Sequence, residues 1–155
     1  MGLLIAEAIG LGLVASLLFT EAVGFAAGGF VVPGYIALYL DQPLRIVGTV
    51  LAALITYIFL NLAGRFFLLY GRRMLVLAVL LGFIFGALTE RIPAIAFASG
   101  EGIAAIGFII PGLIAYWMTR QGVVQTISAM LVAAVLVRLS LVVLHGGDPL
   151  EVALF

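Results

Sequence analysis

A chain of 155 residues with 66% hydrophobic and 9% charged residues lies far from the composition of a soluble domain, in which about a quarter of residues are charged. Seven arginines balance seven acids and lysine is absent, so there is no electrostatic footprint for nucleic acid and no lysine for a phosphate-binding loop. Absence of cysteine and a single histidine, His145, exclude disulfides, thiolate chemistry, a lipoprotein anchor and a histidine metal cluster.

The apolar runs come in chain order, each closed by a short polar mark. Leu3–Phe19 ends at Thr20-Glu21 and lacks the basic residues that precede a signal-peptide core, so it is expected to be a retained membrane helix. Phe25–Leu40 ends at Asp41-Gln42-Pro43, and Ile46–Ala63 ends in a basic loop with Arg65, Arg72 and Arg73. Met74–Leu88 stops at Glu90-Arg91, Ile103–Met118 at Thr119-Arg120-Gln121-Gly122, and Val123–Leu144 in the polar tail that holds His145. A spanning helix takes about 20 apolar residues. The first, third and last runs reach that length, whereas Phe25–Leu40 and Ile103–Met118 are short and interrupted.

Those two short runs resemble each other. Residues 24–37 and 102–115 are identical at nine of 14 positions, at an offset of 78 residues, half the chain. The reading is a single all-α polytopic membrane domain, 1–155, built from an internal duplication. The repeats run approximately 1–64 and 75–144 and are joined by the basic loop 65–73. Each half then holds two long helices around a segment broken at Pro33-Gly34 or Pro111-Gly112, because proline removes an N–H and glycine tolerates the bend. Backbone freed by such a break cannot face lipid; it packs in protein or lines a wet cavity. If the broken segments span, there are six crossings and the halves have opposite orientation. If they are re-entrant there are four, and their shortness leans that way. The basic loop faces the cytoplasm by the positive-inside rule.

Few residues carry charge. Glu21 and Glu101 precede the two copies of the motif and are expected to cap free N–H groups at a broken helix or to pair with arginine, since carboxylates near membrane depth are costly. Glu7 reads as interfacial, or else as a proton-linked carboxylate. Arg138 snorkels from the last run. His145 reads as a solvated loop histidine. Arg65, Arg72, Arg73 and Arg120 are the candidates for binding a carboxylate-bearing polymer or partner, because a guanidinium fork matches a carboxylate. Arg72 and Arg73 also suffice as topogenic charges. No nucleophile elbow, phosphate loop or metal-ligand spacing is present, so no catalytic or metal residue is assigned.

The ordered set of Glu21-x-x-Gly24, Gly29-Phe-Val-Val-Pro-Gly-Tyr35, Gln42-Pro43, Leu69-Tyr-Gly-Arg-Arg73, Gly107-Phe-Ile-Ile-Pro-Gly-Leu-Ile-Ala115 and Arg120-Gln-Gly122 resembles the PgsC/CapC family. Members of that family are small membrane subunits of bacterial poly-γ-glutamate synthase. The chain departs from the family pattern at Ala22, Ala27 and Tyr116, where lysine, proline and asparagine are common. The resemblance makes Gly29, Pro33, Gly34, Gly107, Pro111 and Gly112 motif residues. It implies a multi-pass protein of the bacterial plasma membrane. Its partners would be a PgsB/CapB-like cytoplasmic ligase similar to Mur amide ligases, PgsA/CapA-like subunits and poly-γ-glutamate itself. ATP and Mg would belong to the ligase, with no cofactor in this chain, and homo-oligomers within the complex are compatible with it. The residues alone leave open a stand-alone transporter or channel, and a purely structural anchor.

Overall fold

The computed structural model describes residues 2–68, 70–91 and 107–145, all helix and connecting turns. Six helices follow one another: α1 (Gly2–Val23), α2 (Val32–Leu38), α3 (Pro43–Phe66), α4 (Arg72–Arg91), α5 (Ile110–Gln121) and α6 (Val123–Leu144). Within α1, α3 and α6, the stretches Ile5–Val23, Pro43–Phe66 and Val123–Leu144 are long and apolar enough to cross a membrane.

The core is built from small residues. The buried stripe of α3 is Gly48, Thr49, Ala52, Ala53, Thr56 and Leu60, and that of α6 is Thr126, Ala129, Met130, Ala133, Ala134, Val137 and Leu141. Large apolar side chains such as Ile58, Leu62, Leu139 and Val143 point outward. Water would penalise so much exposed apolar surface. Lipid does not, and in lipid helices gain by close backbone approach across small residues. The helices are accordingly apolar all round, and the buried threonines stay satisfied within their own helices. Thr49 Oγ1 donates to Arg45 O, Thr56 Oγ1 to Ala52 O and Thr126 Oγ1 to Gly122 O, each at 2.7–2.8 Å.

The Pro-Gly pairs differ from the sequence expectation. They do not interrupt helices; Pro33 and Pro111 lie in the first turns of α2 and α5. A proline in the first turn loses no intrahelical hydrogen bond and its φ is already helical, so the pair begins a helix where mid-helix geometry would have broken one. Glycine then serves contact. A Cβ on Gly34 would lie 2.7 Å from Ala8 O, and one on Gly12 2.7 Å from Gly34 Cα. Gly82, Gly112 and Ala78 meet in the same manner and closer still, so α2 crosses α1, and α5 crosses α4, backbone to backbone.

These contacts fix the course of the chain. Gly29 lies beside Ser16, Gly34 beside Gly12 and Ala8, and Leu38 in one cluster with Ala8 and Ile5. Residues 24–38 therefore run back along α1 over most of its length, as an unwound half followed by the helix α2. At 1.5 Å per residue the seven residues of α2 cover only about 10 Å, and the non-helical residues 24–31 precede it along α1. Helix α6 returns antiparallel to α1: His145 reaches Glu7, while Gln125 and Ser128 sit with Phe19 and Val23. Helix α6 packs on α1 and α2, and α3 packs on α4 and α5.

Candidate functional site: an unwound crossing and an arginine end

Unwound backbone at membrane depth needs partners for its N–H and C=O groups. Within residues 24–31, Ala26 and Gly29 find them in side chains. Gln121, the last residue of α5, accepts a hydrogen bond from Ala26 N at Oε1 (2.9 Å) and donates from Nε2 to Ala26 O. The same Nε2 reaches Thr126 Oγ1 at 3.1 Å. One amide side chain thus pairs both backbone groups of a residue 95 positions away. Ser16 Oγ, wholly inside the bundle, donates to Gly29 O at 3.3 Å. Gly28 and Gly29 have φ of 78° and 122°, left-handed values that favour glycine. A Cβ on Gly28 would lie 3.6 Å from Ile114 and Met130, and one on Gly29 3.5 Å from the Trp117 indole, so this stretch runs close to α5 and α6.

Helices α2 and α5 begin at Val32 and Ile110, both buried, and neither has a side-chain cap at the preceding residue, Val31 or Ile109. A cavity of about 440 Å³ lies between the two starts, lined by Val31, Val32, Tyr35, Phe83, Phe108 and Leu113 among others. Its walls are almost wholly apolar, which suits acyl or side-chain packing and does not suit a carboxylate.

Charge is sorted between the two ends of the bundle. At the end where α1 begins, Arg138 Nη2 pairs with Asp41 Oδ2 at 2.6 Å and Nη1 donates to Ala37 O at 3.3 Å, closing the carboxyl end of α2. His145 Nε2 lies 3.6 Å from Glu7 Oε2, and its Nδ1 lies 3.0 Å from Leu141 O. Arg45 stacks over Tyr39 at 5.6 Å. At the opposite end lie Arg65 in the last turn of α3, Arg72 and Arg73 at the start of α4, and Arg120 in the last turn of α5. All four are exposed, and Arg120 leans over the Tyr116 ring at 5.6 Å. The fold therefore brings the four candidate arginines to one end, although they are spread over 56 positions of sequence (120 − 65 + 1).

The glutamates fare differently. Glu21 is exposed on the last turn of α1 at the arginine end, and neither a cap nor an ion pair involves it among the described residues. The reason is geometric: the unwound residues 24–31 carry the chain inward before α2 starts, so Glu21 is far from the turn it was expected to cap. Glu101 lies outside the described residues. Gly29, Pro33, Gly34, Gly107, Pro111 and Gly112 all fall at the starts of α2 and α5, as packing residues. Arg138 is an ion-pair partner beyond mere snorkelling, and His145 a contact of Glu7. Sequence reasoning passed over Gln121, Ser16 and Ala8. Gln121 had a signal, a polar amide directly after an apolar run; Ser16 and Ala8 had none.

The fold and the site define a class: a small protein, all-helical among the described residues, with three stretches long and apolar enough to cross a membrane and two shorter helices that each start at a Pro-Gly pair. Residues 11–127 match the family model described as capsule biosynthesis CapC. The chain is similar to the capsule biosynthesis protein CapC of Bacillus anthracis, with 38% identity over 122 residues, 77% of this chain and 81% of the relative. It is similar to the PGA biosynthesis protein CapC of Bacillus subtilis (strain 168), with 37% identity over 126 residues, 78% of this chain and 82% of the relative. No solved structure matches it significantly. The chain belongs to the capsule biosynthesis CapC family.

Proposed function

We propose that this protein is the integral membrane subunit of a bacterial poly-γ-glutamate synthase, a multi-pass protein of the plasma membrane that seats a cytoplasmic ATP-dependent, Mur-like amide ligase. The observation that carries the reading is its 37–38% identity, over about four-fifths of their length, to relatives named for capsule and PGA biosynthesis. The arginine end supports it. Four exposed guanidiniums on one end satisfy the positive-inside rule for a cytoplasmic face, and they offer a carboxylate-rich partner or polymer a complementary surface. Chemistry at an activated carboxylate, with ATP and Mg, belongs to the ligase. PgsA/CapA-like subunits complete the assembly.

The same proposal includes an internal duplication, with 1–64 and 75–144 as inverted repeats. Three correspondences support it. Gly12 on Gly34 parallels Gly82 on Gly112, with Ala8 and Ala78 as the abutting residues. Thr49 bonding Arg45 O parallels Thr126 bonding Gly122 O. Helix α3 packs on α4 and α5 as α6 packs on α1 and α2. Inverted repeats with short helices starting at depth recur in transporters, but the apolar cavity between α2 and α5 offers no charged group to a coupling ion among the described residues, so the subunit reading is preferred to a stand-alone transporter.

The test is co-expression with a PgsB/CapB-like ligase from the same organism, followed by affinity purification in a mild detergent and an assay for ATP-dependent polymer. A stable complex is expected, and an Arg65→Glu/Arg120→Glu variant that inserts normally is expected to lose most of the ligase. Unchanged polymer yield in cells lacking this chain sinks the proposal.

A further inference from the structure

Beyond the synthase reading, the loop between α3 and α4 carries a feature that partner docking does not require. Its side chains are both basic and greasy. Phe66, Phe67, Leu68 and Tyr70 are 79%, 69%, 83% and 78% exposed, directly between Arg65 and Arg72-Arg73. In water such a loop would bury its aromatics or dispense with them. Aromatic rings with flanking arginines suit the headgroup layer of a membrane, where the ring sits at the boundary and the charge meets phosphate.

A shallow, open groove of about 400 Å³ begins at this loop on one face of α4, lined by Arg72, Arg73, Val76, Leu77 and Leu80. It runs from the two guanidiniums along one face of α4 for about 12 Å, eight residues at 1.5 Å each. Beyond it Phe83 and Ile84 continue an exposed apolar face. No acidic side chain pairs with Arg72 or Arg73 among the described residues. The groove is therefore cationic at its mouth and apolar at membrane depth.

We propose that this groove is a binding site for an anionic phospholipid, with its phosphate held by Arg72 and Arg73 and one acyl chain laid along Val76, Leu77 and Leu80. The apolar floor decides the occupant. A polyglutamate chain or an acidic protein segment would match the arginines but has nothing to place in an apolar groove descending into the bilayer. A lipid matches both halves. The loop then lies in the cytoplasmic headgroup layer, leaving Arg65 and Arg120 to the partner.

The experiment uses the full-length protein in detergent, with phosphatidylglycerol and phosphatidylcholine as probes. Bound lipid is counted by native mass spectrometry, and thermal stability is followed by circular dichroism. Phosphatidylglycerol should bind tightly and raise the melting temperature, whereas phosphatidylcholine should not. An Arg72→Gln/Arg73→Gln variant should bind phosphatidylglycerol about 30-fold more weakly, equivalent to about 1 kcal/mol per arginine. Val76→Trp fills the groove and keeps both charges, so it should also weaken binding; it decides the matter should the arginine variant fail to fold. Arg65→Gln/Arg120→Gln should bind as the parent does. Equal binding of the two lipids overturns the proposal, as does equal loss in the Arg65/Arg120 variant. Full retention in Val76→Trp with displacement by soluble polyglutamate overturns it in favour of a polymer or partner surface.

Discussion

The two helix crossings of this molecule, α1 with α2 and α4 with α5, use one device at two tightnesses. In both, a glycine that follows a helix-starting proline presses on the backbone of a long helix. At the first, a Cβ on either glycine would meet backbone atoms at 2.7 Å; at the second the approach is closer. The supports around them differ as well. The first crossing is led in by an unwound stretch held by Ser16 and by Gln121 from the far half. At the second, Gly86 stands against the backbone of Phe108 and Gly107, with a Cβ on it 3.4 Å from Phe108 Cα. The lesson is that helix α2, only seven residues long, is held from both sides. Propensity alone does not sustain a helix this short; the glycine contact and the borrowed amide do.

The largest effect that could break this comparison is steric. Gly112→Ala should destabilise the folded protein by about 1–3 kcal/mol or more, the usual cost of overpacking, and by more than Gly34→Ala. Leucine at either site should prevent recovery of monodisperse protein. Unfolding of purified variants in mixed micelles measures the order, and Gly34→Ala proving the costlier would reverse the ranking of the two crossings.

Next comes the borrowed amide. Gln121→Leu keeps the volume but leaves both the N–H and the C=O of Ala26 without partners, at about 1–3 kcal/mol for each orphaned group. A loss of roughly 2 kcal/mol is expected, together with faster amide exchange at Ala26 and little change in α4. Unchanged exchange at Ala26 would mean that water already serves this backbone.

The smallest effect sharpens the likeness of the halves. Ser16→Ala removes one buried hydrogen bond and should cost about 0.6 kcal/mol, typical of interhelical bonds in membranes. Gly86→Ser offers the corresponding hydroxyl to the carbonyls of Gly107 and Phe108 and should be neutral or stabilising by a few tenths, since glycine is itself a poor helix former. Strong destabilisation by Gly86→Ser would show that the second crossing has no room for the device of the first.

Sequence by itself determined the solvent, the helical class and the neighbourhood of the two motifs. Those follow from composition and from runs of about 20 apolar residues, which are local properties. It also picked out Pro33-Gly34 and Pro111-Gly112, although it assigned them to breaks where they serve as starts and contacts. Proline has opposite effects in a first turn and in a helix interior, and only the position of the helix start, set by packing against Ala8 or Ala78, decides between them. The gathering of Arg65, Arg72, Arg73 and Arg120 at one end needed the course of the chain, because residues 24–38 run back along α1 and so set the end of the bundle from which α3 starts. The pairing of Arg138 with Asp41 and of Gln121 with Ala26 needed it too. Such contacts join residues about 95 apart, and no local pattern records them, since the energy of a hydrogen bond at membrane depth depends on which backbone group tertiary packing leaves without a partner.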